Sequence, residues 1–203
     1  MDHNVADPVD DPGDHLPTAS PHSNFSDVTL DSYQVPSLLL TNANRIFNKL
    51  DELSILLKTK MFDIVAITET WLSDDIPDSV VHVNEYSVFR QDRNGAIGGG
   101  VMCYISKNIF SRVLDLETRN DLNFEILWLL VRPMLLSRPL SIVIVAVLYC
   151  PPWYNADLCS KLSRYLVSCV DELHRKYNHP CFLIVGDFNS LDCNLFNKYL
   201  HLK

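Results

Sequence analysis

The 203-residue sequence lacks the cysteine pairs of a zinc site, the leader of a secreted protein and the apolar run of a membrane span. Its six cysteines form no Cys-x-x-Cys pair, so we interpret them as reduced, buried thiols. No signal peptide opens the chain, which predicts an intracellular protein, nuclear or cytoplasmic and not secreted. The longest apolar stretch, residues 142–149, is far shorter than the roughly 20 residues that cross a bilayer. We therefore expect no membrane association, and no obligate protein partner is evident.

Positive charge is absent from the first 36 residues, which contain seven aspartates, five of the 11 prolines and no lysine or arginine. A segment without periodic apolar residues cannot bury enough surface to offset the entropy lost on ordering. The sequence therefore predicts a disordered acidic tail at 1–36 and a folded domain at 37–203. Without the tail, 17 basic residues face 18 acidic ones (25 − 7). A near-neutral body weakens the case for tight non-specific DNA binding, although a local basic patch stays possible.

Apolar periodicity predicts strands and helices that alternate at both ends of the folded part. Continuous apolar runs indicate buried strands, and recurrence at three and four residues indicates helices. The predicted strands are 38–40, 63–68, 85–90, 100–105, 126–131, 141–149 and 181–185, and the predicted helices are 46–58 and 157–176. The strands at 85–90 and 100–105 flank a glycine-rich turn. The pattern favours a layered α/β domain with mixed sheets.

Four of the predicted strands end in polar side chains. These are Asn42 with Asn44, then Glu69, then Tyr149, and finally Asp187 with Asn189. Residues i and i+2 of an extended chain point the same way, and ligand sites of open α/β sheets lie beyond the carboxyl ends of strands. Two carboxylates with several carboxamides suit a hard divalent cation such as Mg²⁺.

Ordinary structural roles compete with this interpretation at each position. Asn44 and Asn189 could be turn formers or helix caps, and Tyr149 could be a core residue. Glu69 has no obvious capping duty after five apolar residues. Arg90 and Arg93 could form a DNA-facing loop or a salt-bridged surface turn. The four endings taken together, and no single one, favour a functional site.

Five sequence blocks occur in an order and spacing that resemble a known superfamily. They are "TNANRIFNKLDEL", "DIVAITETWLSDDI", "FRQDRNGAIGGGVMCYI", "LYCPP" and "LIVGDFN". The chain resembles the endonuclease/exonuclease/phosphatase superfamily, and within it the endonuclease domain of non-LTR, LINE-like retrotransposon polyproteins. The resemblance covers about residues 37–203. It implies a DNase I-like four-layer α/β sandwich with two mixed sheets, and an Mg²⁺-dependent DNA endonuclease for which Mn²⁺ is an alternative.

The resemblance also implies a role for each candidate residue. Glu69 resembles the principal Mg²⁺ ligand, and Asn42 with Asn44 lie at the metal-side and phosphate-side positions. Tyr149 resembles a phosphate-contacting tyrosine. Asp187 resembles the residue that activates the attacking water, and Asn189 helps to hold that water and the phosphate.

The sequence departs from the superfamily pattern after the "GDFN" block. The superfamily pattern closes with further strands and a Ser-Asp-His block, and the sequence reaches Lys203 without them. We therefore expect a fold incomplete at the C-terminus and weak or no activity. The alternatives are a non-catalytic domesticated remnant that acts as a binding module, and another phosphoesterase of the same superfamily.

Overall fold

The computed structural model describes residues 36–134, 136, 140 and 142–191. The predicted tail lies outside these residues except for Pro36. In chain order the main elements are β1 (Leu38–Asn42), α1 (Leu50–Lys58), β2 (Ile64–Thr68), β3 (Tyr86–Gln91), β4 (Val101–Ser106), β5 (Phe110–Val113), β6 (Glu125–Arg132), β7 (Ile142–Tyr149), α2 (Ala156–Lys176) and β8 (Pro180–Asp187). Short 3-10 helices cover Ile46–Lys49 and Asp78–Val80.

The strands form two sheets of four, and both sheets are mixed. The first has the order β1-β2-β4-β3 and the second the order β5-β6-β7-β8. One pair in each sheet is parallel, β1 with β2 and β7 with β8, and the other pairs are antiparallel. The predicted hairpin-like pair around the glycine-rich turn is the antiparallel pair β3 and β4.

Three apolar cores separate four layers, because successive strand residues face opposite sides of a sheet. Val65 and Ile67 of β2 pack toward α1, whereas Ile64 and Ala66 pack toward the second sheet. The second sheet in turn packs its outer face against α2. The four layers are thus α1, the two sheets and α2, which confirms the predicted DNase I-like sandwich.

The start of α1 and the presence of β5 differ from the sequence prediction. The helix expected from residue 46 begins as a 3-10 turn and becomes α-helical at Leu50. The N–H groups of Arg45 and Ile46 donate to the carbonyls of Glu69 and Thr70, so the chain beyond β2 holds this first turn. Strand β5 was not predicted because it is short and largely exposed, without a clear apolar period.

The cysteines within the described residues are unpaired, and four of the five are buried. This arrangement agrees with the interpretation of reduced, buried thiols. In the same part of the chain, no helix combines the length and the apolar character that a membrane span requires.

Glu172 of α2 fastens the loop that leads into β6. Its buried carboxylate accepts hydrogen bonds from the N–H groups of Glu117 and Thr118, each at 2.8 Å, and from the Thr118 hydroxyl at 2.7 Å. Burial acts to raise the pKa of Glu172, but these hydrogen bonds and the charge of Lys176 outweigh it, and the pKa lies below its ordinary value. The ionised carboxylate therefore stabilises the loop.

Substituting Glu172→Gln should lower the free energy of unfolding by about 2 kcal/mol at pH 7, since hydrogen bonds to a charged group are lost. A lowered folded-state pKa gives stability that is present above the unfolded-state pKa and lost as pH falls through the folded-state value. The difference between wild type and variant should therefore shrink below about pH 4. Urea unfolding across this pH range measures it. The exposed neighbour Asp171→Asn is the control, and equal effects of the two changes would contradict the prediction.

Candidate active site

The carboxyl ends of β1, β2, β7 and β8 meet at one rim of the sandwich. In the first sheet Asn42 pairs with Thr68, and Glu69 follows directly. In the second sheet Tyr149 pairs with Asp187. Because both strand pairs are parallel, each sheet delivers its polar residues at the same edge. The fold therefore brings together side chains that are far apart in the sequence.

Asn42 joins the two sheets through its side-chain amide. Its Nδ2 atom donates to Oε1 of Glu69 at 2.9 Å and to Oδ2 of Asp187 at 3.2 Å. Two carboxylates from different sheets thus share a single uncharged donor. Within the described residues, no ion pair connects either carboxylate to a lysine or an arginine. The rim consequently carries concentrated negative charge.

The sequence offered two interpretations of Tyr149, a core residue or a phosphate-contacting residue, and its position in the structure is compatible with both. Its ring belongs to the core between the sheets and is 4% exposed, while its hydroxyl lies near the carboxylate of Glu69. Burial raises the pKa of Tyr149, and the nearby charge of Glu69 raises it further, against a smaller lowering by Arg93. Tyr149 therefore keeps its proton at neutral pH and offers an O–H donor at the rim.

Asn44 supports the side chain of Asn42, and Asn189 supports the side chain of Asp187. The N–H of Asn44 donates to Oδ1 of Asn42 at 3.0 Å, and the N–H of Asn189 donates to Oδ1 of Asp187 at 3.2 Å. The 3-10 helix that follows Asn44 has no side-chain cap. The amide of Asn189 donates to the Cys150 carbonyl at 2.9 Å, which ties it to the end of β7. Both asparagines thus fix the orientation of site side chains.

Strained backbone is concentrated in the segments that carry the site. Glu69 has a φ of 53° and Trp71 a φ of 56°, in the left-handed region that costs side-chain-bearing residues about 1–3 kcal/mol each. Asn44 and Asn189 also have positive φ. Neighbouring chain holds this geometry, since the N–H of Trp71 donates to the Gly99 carbonyl at 2.9 Å. The side chain of Glu69 is consequently aimed by its backbone.

The two predicted DNA-facing arginines lie in different environments. The guanidinium of Arg90 contacts Asp78 at 3.1 Å and Asp92 at 3.4 Å and donates to the Ile76 carbonyl. These contacts fit the salt-bridged turn that was the alternative, and a role of Arg90 toward DNA stays a prediction. Arg93 instead reaches the rim, where its guanidinium carbon lies 5.7 Å from the centre of the Tyr149 ring.

Glu125 is a functional candidate that the sequence reasoning missed. It is 5% exposed, opens β6 opposite Tyr149, and contacts Nε and Nη2 of Arg93 at 2.8 and 2.7 Å. Its second oxygen accepts from the N–H of Gly100. The available sequence signal was a single carboxylate at the start of the apolar run "EILWLLV". It was overlooked because only the residues that end strands were considered. Glu125 holds Arg93 and the glycine-rich turn beside the site.

The donor set of the rim fits a divalent cation. Two carboxylates face one shared amide and, among the residues that the structure describes, neither forms an ion pair. Mg²⁺ takes one or two carboxylates with waters in its remaining positions. In the described part of the chain no group of three or more histidine, cysteine or acidic side chains converges. The chemistry of the rim therefore suits a hard, hydrated metal ion.

A comparison with protein-family models matches residues 38–197 to the Endonuclease/Exonuclease/phosphatase family. The match covers most of the chain and includes every strand end that forms the rim. The chain belongs to this family. Its members include nucleases and phosphatases, so the predicted superfamily is confirmed. No curated protein matches the chain significantly.

Several solved structures share the fold at low sequence identity. An AP endonuclease from Archaeoglobus fulgidus is 18% identical with a TM-score of 0.52, over 76% of this chain and 58% of that one. The endonuclease domain of TRAS1, a telomere-specific non-LTR retrotransposon, is 15% identical with a TM-score of 0.53, over 82% and 70%. The 3′ phosphatase NExo from Neisseria, bound to a product DNA hairpin, is 18% identical with a TM-score of 0.50, over 76% and 58%. The chain thus spans less than two thirds of the archaeal structure.

Proposed function

We propose that the chain is an Mg²⁺-dependent phosphodiesterase that cleaves DNA strands. The observation that carries this proposal is the pair of carboxylates, Glu69 and Asp187, bridged by Asn42 beside the protonated hydroxyl of Tyr149. Phosphodiester hydrolysis needs a cation for the phosphate charge, a base for the attacking water and donors for the phosphate oxygens. The rim provides a residue for each requirement.

Each residue at the rim has a distinct proposed role. Glu69 and Asn42 would hold the metal ion, which when bound would supply charge stabilisation at the phosphate. Asp187 orients the attacking water and accepts its proton, and its own orientation is fixed by the N–H of Asn189. Tyr149 donates its hydroxyl proton in a hydrogen bond to a phosphate oxygen. Asn44 supports Asn42 and adds a phosphate-side carboxamide.

DNA as the substrate, and a retrotransposon lineage, are supported by family membership and by the neighbours. NExo is seen with a DNA hairpin, and TRAS1 is a retrotransposon whose endonuclease domain has this fold. In this chain the guanidinium of Arg93, paired with Glu125, lies at the rim next to Tyr149. The expectation of weak activity stays a prediction, and the rate found in the following assay measures it.

Purified chain should convert supercoiled plasmid into open circles in the presence of Mg²⁺ or Mn²⁺, and EDTA should stop the conversion. The physical reason is that the two carboxylates of the rim repel the negatively charged phosphate of DNA when no cation is bound between them. Gel electrophoresis of time points gives the rate.

The Glu69→Ala variant, purified in the same way, serves as the control for contaminating nuclease. Nicking that EDTA leaves unchanged would contradict a metal-dependent mechanism. Absence of nicking at every protein concentration would contradict the enzyme proposal and favour the binding-module alternative.

A further inference from the structure

The loop after β7 presents an exposed tryptophan directly beside the site. Trp153 is 64% exposed and follows Tyr149 by four residues. The guanidinium carbon of Arg93 lies 4.9 Å from the centre of the Trp153 ring and 5.7 Å from that of Tyr149. One guanidinium therefore contacts both the buried aromatic ring of the site and the exposed aromatic ring next to it.

The exposed ring is held in place by buried contacts. Arg93 stacks on Trp153 and is itself fixed by two contacts to the buried carboxylate of Glu125. The loop is closed by the N–H of Tyr154, which donates to the Pro151 carbonyl at 3.1 Å, and by Asn189, which donates to the Cys150 carbonyl. An aromatic ring that is already ordered loses little side-chain entropy when a ligand stacks on it.

The charge balance favours a stacking ligand over a purely electrostatic one. The folded part is near neutral, and the positive charge of Arg93 is paired with Glu125. Phosphate attraction alone would consequently be weak. Stacking of a nucleobase on an aromatic ring needs no net charge, and it accepts any base because every base has a π-face.

We propose that Trp153, backed by Arg93, is a stacking subsite for an unpaired nucleobase adjacent to the phosphate that is cut. The inference rests on the proposed function, because Tyr149 marks the phosphate position. A base inside a duplex already stacks on its neighbours and cannot also cover the indole ring. The substrate class is therefore DNA with a single-stranded or unpaired nucleotide at the cleavage point.

The test is binding of fluorescein-labelled oligonucleotides in Mg²⁺, which offsets the charge of the rim carboxylates, with gel electrophoresis to confirm that the strands stay uncut during the reading. Fluorescence anisotropy compares wild type with Trp153→Ala and Trp153→Phe on a short single strand and on its duplex. We expect Trp153→Ala to weaken single-strand binding by about 5- to 100-fold and duplex binding far less. Trp153→Phe keeps a stacking ring and should retain most of the affinity. An abasic position scanned along the strand should abolish the effect of Trp153→Ala at one location.

Phe110→Ala is the matched control, since Phe110 is an exposed ring with Arg132 at 5.9 Å, at the opposite end of β6 from Glu125. Equal single-strand affinities of wild type and Trp153→Ala, equal losses on single strand and duplex, or no binding by wild type would each overturn the inference. Plasmid nicking without Trp153-dependent binding would refute the subsite alone. Trp153-dependent binding without Mg²⁺-dependent cleavage of either the plasmid or the single-stranded oligonucleotide would refute the endonuclease proposal alone.

Discussion

Substituting Glu69→Ala or Asp187→Ala should reduce Mg²⁺-dependent nicking by about 10²- to 10⁴-fold. Glu69 is the proposed metal ligand and Asp187 the proposed base, and each is bound by the same amide nitrogen of Asn42. Removal of either carboxylate removes a role, metal binding or proton acceptance, that no neighbouring side chain supplies. Plasmid nicking at saturating Mg²⁺ measures the loss.

The same substitutions should leave the melting temperature unchanged or raise it. Glu69 and Asp187 are like charges that share one neutral donor, so removing one relieves repulsion in the folded state. Active sites commonly give up stability in this way. Glu52→Ala, an exposed carboxylate change on α1, should alter neither property. A large fall in melting temperature together with the loss of nicking would assign Glu69 or Asp187 a structural role instead.

The fold and the placement of the rim could be predicted because their signals are local. Runs such as "IVAIT" and "VIVAVL" are buried on both faces, so their apolar character is continuous and unmistakable. The polar residue that ends such a run stands out against it. Ligand sites lie beyond the carboxyl ends of strands, so the strand ends predicted that their polar residues converge. The hydrogen bond between Asn42 and Asp187, which belong to different sheets, agrees.

Features that depend on contacts between distant segments could not be predicted. The pair of Arg93 and Glu125 joins residues 32 positions apart, and neither residue has a local pattern that names its partner. The left-handed backbone at Glu69 and Trp71 is held by hydrogen bonds to the loops at Arg45 and Gly99 rather than favoured by residue type. The distinction between Arg90 and Arg93 likewise appears only when Asp78 and Tyr149 are placed beside them.

Gly186 is predicted to be the least replaceable glycine that positions the site. The residue lies within β8, opposite Leu148 of β7, and not in a turn after the strand as its place before Asp187 suggests. Its φ is 146°, and a Cβ atom added there would collide with the carbonyl of Leu148. Backbone cannot yield as a flexible side chain does. The strands can approach closely only because residue 186 has no side chain.

Gly186→Ala should lower the free energy of unfolding by about 3–5 kcal/mol, the sum of a disfavoured backbone conformation and overpacking. A loss of this size is a large part of the total stability of a domain, so much of the protein should be unfolded or insoluble. Urea unfolding of the soluble fraction measures it.

The control for this substitution separates backbone strain from collision. Gly95→Ala shares a positive φ of 74° but meets no atom within 4 Å, so it should cost only about 1 kcal/mol. Similar losses for the two variants would show that the close contact with Leu148 is unimportant. A larger loss of stability for Gly186→Ala than for Gly95→Ala would show that the missing side chain at residue 186 lets β7 and β8 place Tyr149 and Asp187 side by side. Its variant should lose nicking and stability together, whereas Glu69→Ala loses nicking alone.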